Sequence, residues 1–182
     1  MTISWEATPN PQSLKFLVSQ PISAEILEIT SMEEAKRSPL AGKILGFPWA
    51  KSVFLGKDFI TVTKEDWVEW DILRDPLAAL IQEHLEKGEQ VLLPELSKET
   101  DTSDEKDSTS VKLIKEILKN EIQPAVAMDG GFIDFVSYKD KKVYLNLQGA
   151  CSGCPSSAFT LKEGIETRLK QSLPEIEEVI AI

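Results

Sequence analysis

Apolar positions along this chain recur with two periods, two and about 3.6, and sort it into two ordered stretches with a polar one between them. In the first stretch, Thr8-Pro9-Asn10-Pro11 makes a rigid, turn-prone opening to a short strand over 14–18. Residues 25–31 fit a strand or a helical turn equally well. Ser38-Pro39 reads as a helix start, a capping serine before a proline at the first helical position, with Leu40, Ile44 and Leu45 on one face. Residues 52–55 and 59–63 pair as a hairpin across Gly56-Lys57-Asp58. A helix over 76–87 ends the stretch, capped by Asp75, striped by Leu77, Leu80, Ile81 and Leu85, and terminated by Gly88.

After its first residue, the segment LSKETDTSDEKDSTS (96–110) holds only Ser, Thr, Asp, Glu and Lys. Such a composition buries too little apolar surface to offset backbone ordering, so it reads as an extended, mobile linker. Beyond it, Ser110 caps a helix whose face carries Val111, Ile114, Ile117, Leu118 and Ile122. Pro124 must kink or restart that helix, because it has no backbone donor. Asp129-Gly130-Gly131 ends it. Two strands follow, 132–138 and 143–148, joined by the charged turn 139–142. Val143, Leu145 and Leu147 point to one face of the second strand, and Tyr144, Asn146 and Gln148 to the other. A helix over 156–171, with Ala158, Leu161, Ile165 and Leu169 inward, stops at Leu173-Pro174, and 178–182 suit a short closing strand. The pattern predicts an α+β protein of two small domains, 1–95 and 111–182, joined by the linker 96–110; the second domain has a short sheet with flanking helices.

Charge changes the picture in one way. The formal net charge of −10 argues against nucleic acid, which selects a basic face. Residues 1–95 hold 9 Lys/Arg against 15 Asp/Glu and residues 111–182 hold 9 against 10, so the acidity belongs to the front of the chain. It keeps that domain soluble and leaves it suited to a basic partner. No apolar run nears the ~20 residues of a membrane span, and neither a signal peptide nor an Arg-rich transit segment is visible at the start. The expected location is a reducing cytoplasm. Trp5, Trp49, Trp67 and Trp70 all lie in the first domain and read as core residues, with a partner-binding patch as the sharper alternative. His84, the one histidine, sits on the polar edge of its helix and reads as a surface or packing residue. Glycine-rich phosphate loops, nucleophile elbows and metal-spaced clusters are all missing from this domain.

The chemistry concentrates in GACSGCPSS (149–157), which contains Cys151 and Cys154, the only two cysteines. Both fall in the turn between a strand and a helix. Unpaired N–H groups and the dipole at a helix start stabilise a thiolate and lower its pKa. Gly149 and Gly153 permit tight turns that aim both sulfurs outward, Pro155 stiffens the exit, and Ser156 or Ser157 caps the helix. Three functions fit. Thiol–disulfide exchange uses a similar loop, although a domain of about 70 residues without alternating βαβ units does not suit a thioredoxin-like fold. Structural zinc needs four ligands, and this domain offers two sulfurs and no histidine. Iron–sulfur clusters are typically held by four thiolates, so two per chain make half a site. A cluster would then sit between two chains, or be completed by outside thiols, and would be exposed and transferable.

Residues 111–182 resemble the C-terminal NifU-type domain of Nfu proteins, through MDGG (128–131), LQGACSGCPSS (147–157) and TLKEGIE (160–166). Residues 1–95 resemble the Nfu N-terminal domain, through TPNPQSLKF (8–16), SPLA (38–41) and SVFLGKDFITVTK (52–64). The resemblance implies a carrier, not an enzyme, that receives a 4Fe–4S cluster from the assembly machinery and passes it to apo-proteins; 2Fe–2S is the other cluster type to consider. It implies Cys151 and Cys154 as the cluster ligands and a homodimer when the cluster is bound; the metal-free protein is expected to be a monomer, and charge and hydropathy leave no nucleic acid or membrane among the expected partners. The N-terminal domain is expected to recognise partners. The compartment would be a bacterial cytoplasm, or the mitochondrial matrix for a mature eukaryotic form.

Overall fold

A computed structural model of the chain describes residues 3–23, 25–94, 109–152 and 155–182, the side chains of 155–160 excepted. The expected linker therefore falls almost wholly outside the described residues. These residues form two compact units, one within Met1–Ser97 and one within Lys98–Ile182.

In the first unit, β1 (Ser4–Ala7), β2 (Ser13–Leu17), β3 (Leu27–Ile29), α1 (Pro39–Leu45), β4 (Ala50–Leu55), β5 (Phe59–Lys64) and α2 (Trp70–Glu86) follow in order, with a 3-10 turn at Glu34–Arg37. The five strands make an antiparallel sheet ordered β1-β2-β5-β4-β3. Alternation places Leu14, Phe16, Val53, Leu55, Ile60 and Val62 on the face that packs with Leu40 and Ile44 of α1 and Leu77 and Ile81 of α2. Ser38 caps α1 as expected, its Oγ accepting from the Ala41 N–H at 3.0 Å. Within the ambiguous residues 25–31, Leu27–Ile29 form the edge strand β3.

Three expectations for this unit are corrected. The second helix begins at Trp70, not at the expected cap Asp75, and Pro76 lies inside it. Its start is anchored from outside the helix: the Trp70 indole Nε1–H donates to the Pro11 carbonyl at 3.1 Å, and Arg74 lies 4.7 Å from the centre of the Trp5 ring. Pro76 and Ile72 both face solvent, where water can take the Ile72 carbonyl that the proline leaves unbonded. None of the four tryptophans is a buried core residue: Trp67 is 67% exposed and Trp5 39%, while Trp49 and Trp70 are half-buried against the core. His84 is not on a polar edge but buried. At the other end of α2 the prediction holds. Gly88 takes φ +68°, and the N–H groups of Gly88 and Glu89 donate to Leu85 and His84 carbonyls, so orphan carbonyls of the last turn find partners.

In the second unit, α3 (Thr109–Ile117) runs through a π-helical turn (Leu118–Ile122) into α4 (Gln123–Met128), whose first turn contains Pro124. The break that the proline requires is thus a widened turn. Ser110 is not the cap; it lies within α3, its hydroxyl donating to Glu175 at 2.7 Å. β6 (Gly131–Lys139) and β7 (Lys142–Gly149) form a hairpin across Asp140 and Lys141, both at positive φ as the tightest hairpin turns require. After α5 (Pro155–Ser172), β8 (Glu178–Ala181) lies parallel to β7, giving the order β6-β7-β8 and a single βαβ crossover. Ile114, Leu118, Ile133, Val143, Leu145, Ile165 and Leu169 form the core between helices and sheet. Both units are α+β, as the apolar periods predict.

Candidate metal centre

Two glycines at positive φ shape the cysteine loop. Gly130, at +78°, turns the chain out of α4, and Gly149, at +68°, turns it out of β7. Their neighbours are tied together: Gly131 pairs with Gly149 across the hairpin, and the Ala150 N–H donates to the Gly130 carbonyl at 3.2 Å. Ser152 then closes the loop on itself, its N–H and its hydroxyl both donating to the Gly149 carbonyl, at 3.0 and 2.8 Å. Three residues on, α5 begins with no acidic side chain in its first turn, which leaves the positive end of its dipole uncompensated by carboxylates.

Cys151 departs from expectation. The loop was expected to aim both sulfurs outward, yet Cys151 is 6% exposed and belongs to the same buried cluster as Ile133, Leu145 and Ile165. Its Sγ rests on the α-carbon of Gly131. A Cβ on Gly131 would collide with that sulfur and would lie 2.9 Å from the Gln148 carbonyl oxygen. The physical reason for the burial is this hollow, which hydrogen alone can share, together with the low polarity of a thiol. Cys154 and Gly153 lie outside the described residues. Among the described residues no three of His, Cys, Asp and Glu converge on a common metal position.

Gly131 is the residue that sequence reasoning missed. As a helix terminator, Asp129-Gly130-Gly131 needs only Gly130 in a left-handed backbone. The second glycine was the available signal, since a terminator requires one.

His84 is buried with its ring nitrogens facing Gln90, Lys43 and Glu89, whose carboxylate lies 3.2 Å from Nδ1. Its Nε2 lies 3.2 Å from the Gln90 carbonyl, which can only accept, so Nε2 carries the proton and Nδ1 accepts from the Lys43 ammonium at 3.1 Å. Lys43 also binds Glu89 at 2.6 Å. Burial pushes the imidazole pKa below its ordinary value, against the bond to Gln90, which favours protonation.

The described residues thus form two small α+β units, and the second carries the C-x-x-C sequence where its strand β7 gives way to α5. Residues 3–88 match the model of the scaffold protein Nfu/NifU N-terminal domain, and residues 114–180 match that of the NifU-like domain. The human mitochondrial NFU1 iron-sulfur cluster scaffold homolog is 40% identical over 98% of this chain and 71% of its own length. NifU-like protein 4, mitochondrial, of Arabidopsis thaliana is 40% identical over 98% of the chain and 65% of its own, so the chain spans just under two thirds of that relative. A solution structure of a NifU-like protein from Saccharomyces cerevisiae is 30% identical, covering 52% of this chain and 87% of that one, with a TM-score of 0.46. The chain belongs to the Nfu/NifU scaffold family, with its Nfu-type and NifU-like domains in that order. Among the described residues no helix is long and apolar enough to cross a membrane.

Proposed function

We propose that this protein is an iron–sulfur cluster scaffold and carrier that holds a 4Fe–4S cluster through Cys151 and Cys154 of two chains and hands it to apo-proteins. The observation that carries the reading is the thiol count. The chain has two cysteines and a cluster of this type is typically held by four thiolates, so the site is completed by association. The names of the human and Arabidopsis relatives, an iron-sulfur cluster scaffold homolog and a NifU-like protein, support it. A scaffold moves a preformed cargo and turns over no substrate, which separates it from an enzyme. In this reading the metal-free protein is a monomer and the loaded one a homodimer. The cluster-assembly machinery loads it, and incoming target thiolates displace the two cysteines one at a time as the dimer opens. Residues 1–95 recognise partners, and 96–110 tether them to the cluster-binding domain 111–182. The place of action is a reducing compartment, a bacterial cytoplasm or the mitochondrial matrix; the relatives' names say mitochondrial.

Anaerobic reconstitution with iron and sulfide, followed by metal and sulfide analysis on a calibrated sizing column, tests this directly. The expected product is a dimer with four irons and four sulfides; two irons and two sulfides would assign 2Fe–2S instead. Cys151→Ser and Cys154→Ser should each abolish the colour and the dimer. A full cluster on a strict monomer without added thiols would refute the proposal, as would insulin reduction cycled by a reductase with no iron bound.

A further inference from the structure

The burial of Cys151 has no place in a scheme in which both ligands simply wait at the surface. From it we infer that the metal-free fold withholds the Cys151 thiol by seating it on Gly131, which makes Gly131 a positioning residue that controls when this ligand becomes available. As a regulation of the cluster site, this rests on the function proposed above.

Three observations on separate elements make the seat. Gly131 opens β6 and supplies the floor, since a side chain there would occupy the space of the sulfur. Gly149, its partner across the hairpin, ends β7 in a left-handed conformation. The Ala150 N–H to Gly130 carbonyl bond pins the residue just before Cys151 to the turn just before Gly131. The sulfur is thereby held in the apolar cluster, away from oxidants and stray metal ions. Gly149 adopts either hand of backbone at little cost, so the short arm from Ala150 to Ser152 can swing without disturbing β7. Loading then draws the sulfur off its seat, and the thiol proton passes to water as iron takes its place. The seat slows wasteful chemistry of the empty protein without lowering the number of ligands it offers the cluster.

The test uses the full metal-free chain carrying Cys154→Ser, so that Cys151 is the one thiol, with iodoacetamide as probe under anaerobic conditions. The native protein should be alkylated at least about tenfold more slowly than the same chain unfolded in urea. The native rate should stay flat across low urea concentrations, because local movement of the arm exposes little new surface. Gly131→Ala in the same background, with helix content retained, should recover most of the unfolded rate. A native rate within twofold of the unfolded one would overturn the inference. So would a rate that rises with urea in step with global unfolding, because a sulfur freed only by unfolding cannot be released to a cluster. The second criterion needs no change at Gly131 and stands even where Gly131→Ala fails to fold. Shielding of Cys151 in a chain whose parent binds no cluster would sink the scaffold reading alone; rapid alkylation in a chain whose parent does bind one would sink the seat alone.

Discussion

Ser38 makes two bonds from a fully buried position, and the stability of the first unit should register both. Its Oγ accepts the Ala41 N–H at the start of α1 and donates to the Val91 carbonyl at 2.5 Å, fastening the segment that follows α2. Ser38→Ala removes a helix cap, costing about 1 kcal/mol, and leaves a buried carbonyl without this donor, costing about 1–3 kcal/mol. The sum is about 2–4 kcal/mol, a large share of the roughly 5–15 kcal/mol that holds a domain folded. With a urea slope of about 2 kcal/mol per molar, the middle of the usual range, the midpoint should fall by about 1–2 M. Ser38→Gly separates the two contributions, since glycine caps nearly as well as serine but has nothing to donate to Val91. Tryptophan fluorescence is the assay, because Trp5, Trp49, Trp67 and Trp70 are the only tryptophans and all lie in the first unit. Cluster content after reconstitution should not change. A Ser38→Ala midpoint shift worth less than about 0.5 kcal/mol would refute the reasoning, because it would mean that neither bond contributes to stability.

Three further outcomes follow from the structure. Because Cys151 packs in the core, Cys151→Ala should cost the metal-free second unit about 1 kcal/mol relative to the parent. Urea unfolding followed by Tyr138 and Tyr144, the only two tyrosines, reads that difference, and equal midpoints would show that the sulfur is not buried. Gly130→Ala forces a side chain into φ +78° and should cost about 1–2 kcal/mol in the same assay. Acid acts through His84. Its pKa is held by burial below the ordinary 6.5, so on acidification the unfolded chain takes up a proton before the folded one does. The stabilisation is complete above about pH 6.5 and drains away below it, at up to about 1.4 kcal/mol per pH unit, until the folded-state pKa is passed. Tryptophan-monitored unfolding between pH 7.5 and 5.5 should therefore weaken less in His84→Gln than in the parent, and equal losses would contradict this.

What could be read along the chain was whatever depends on neighbours in sequence. Ser38 caps because proline follows it, Gly88 and Gly130 end helices because they tolerate a left-handed backbone, and Val143, Leu145 and Leu147 share a face because a strand alternates. The thiol count, on which the proposed cluster chemistry rests, is likewise a property of composition alone. β1 was missed although Ile3, Trp5 and Ala7 alternate with Ser4 and Glu6: the run is short, Ser4–Ala7 is exposed throughout, and it is a strand because β2 offers it a free edge. The first turn of α2 was missed too; it forms despite Pro76 because Pro11 and Trp5, far earlier in the chain, hold Trp70 and Arg74. The tryptophans were placed inside on hydrophobicity, yet whether an aromatic ring is covered depends on what the rest of the fold lays over it. The same holds at the metal centre. Local sequence puts Cys151 in a strand-to-helix turn, but the direction of its sulfur is decided by a hollow over Gly131, twenty residues away, and a hollow exists only once β6 and β7 have paired.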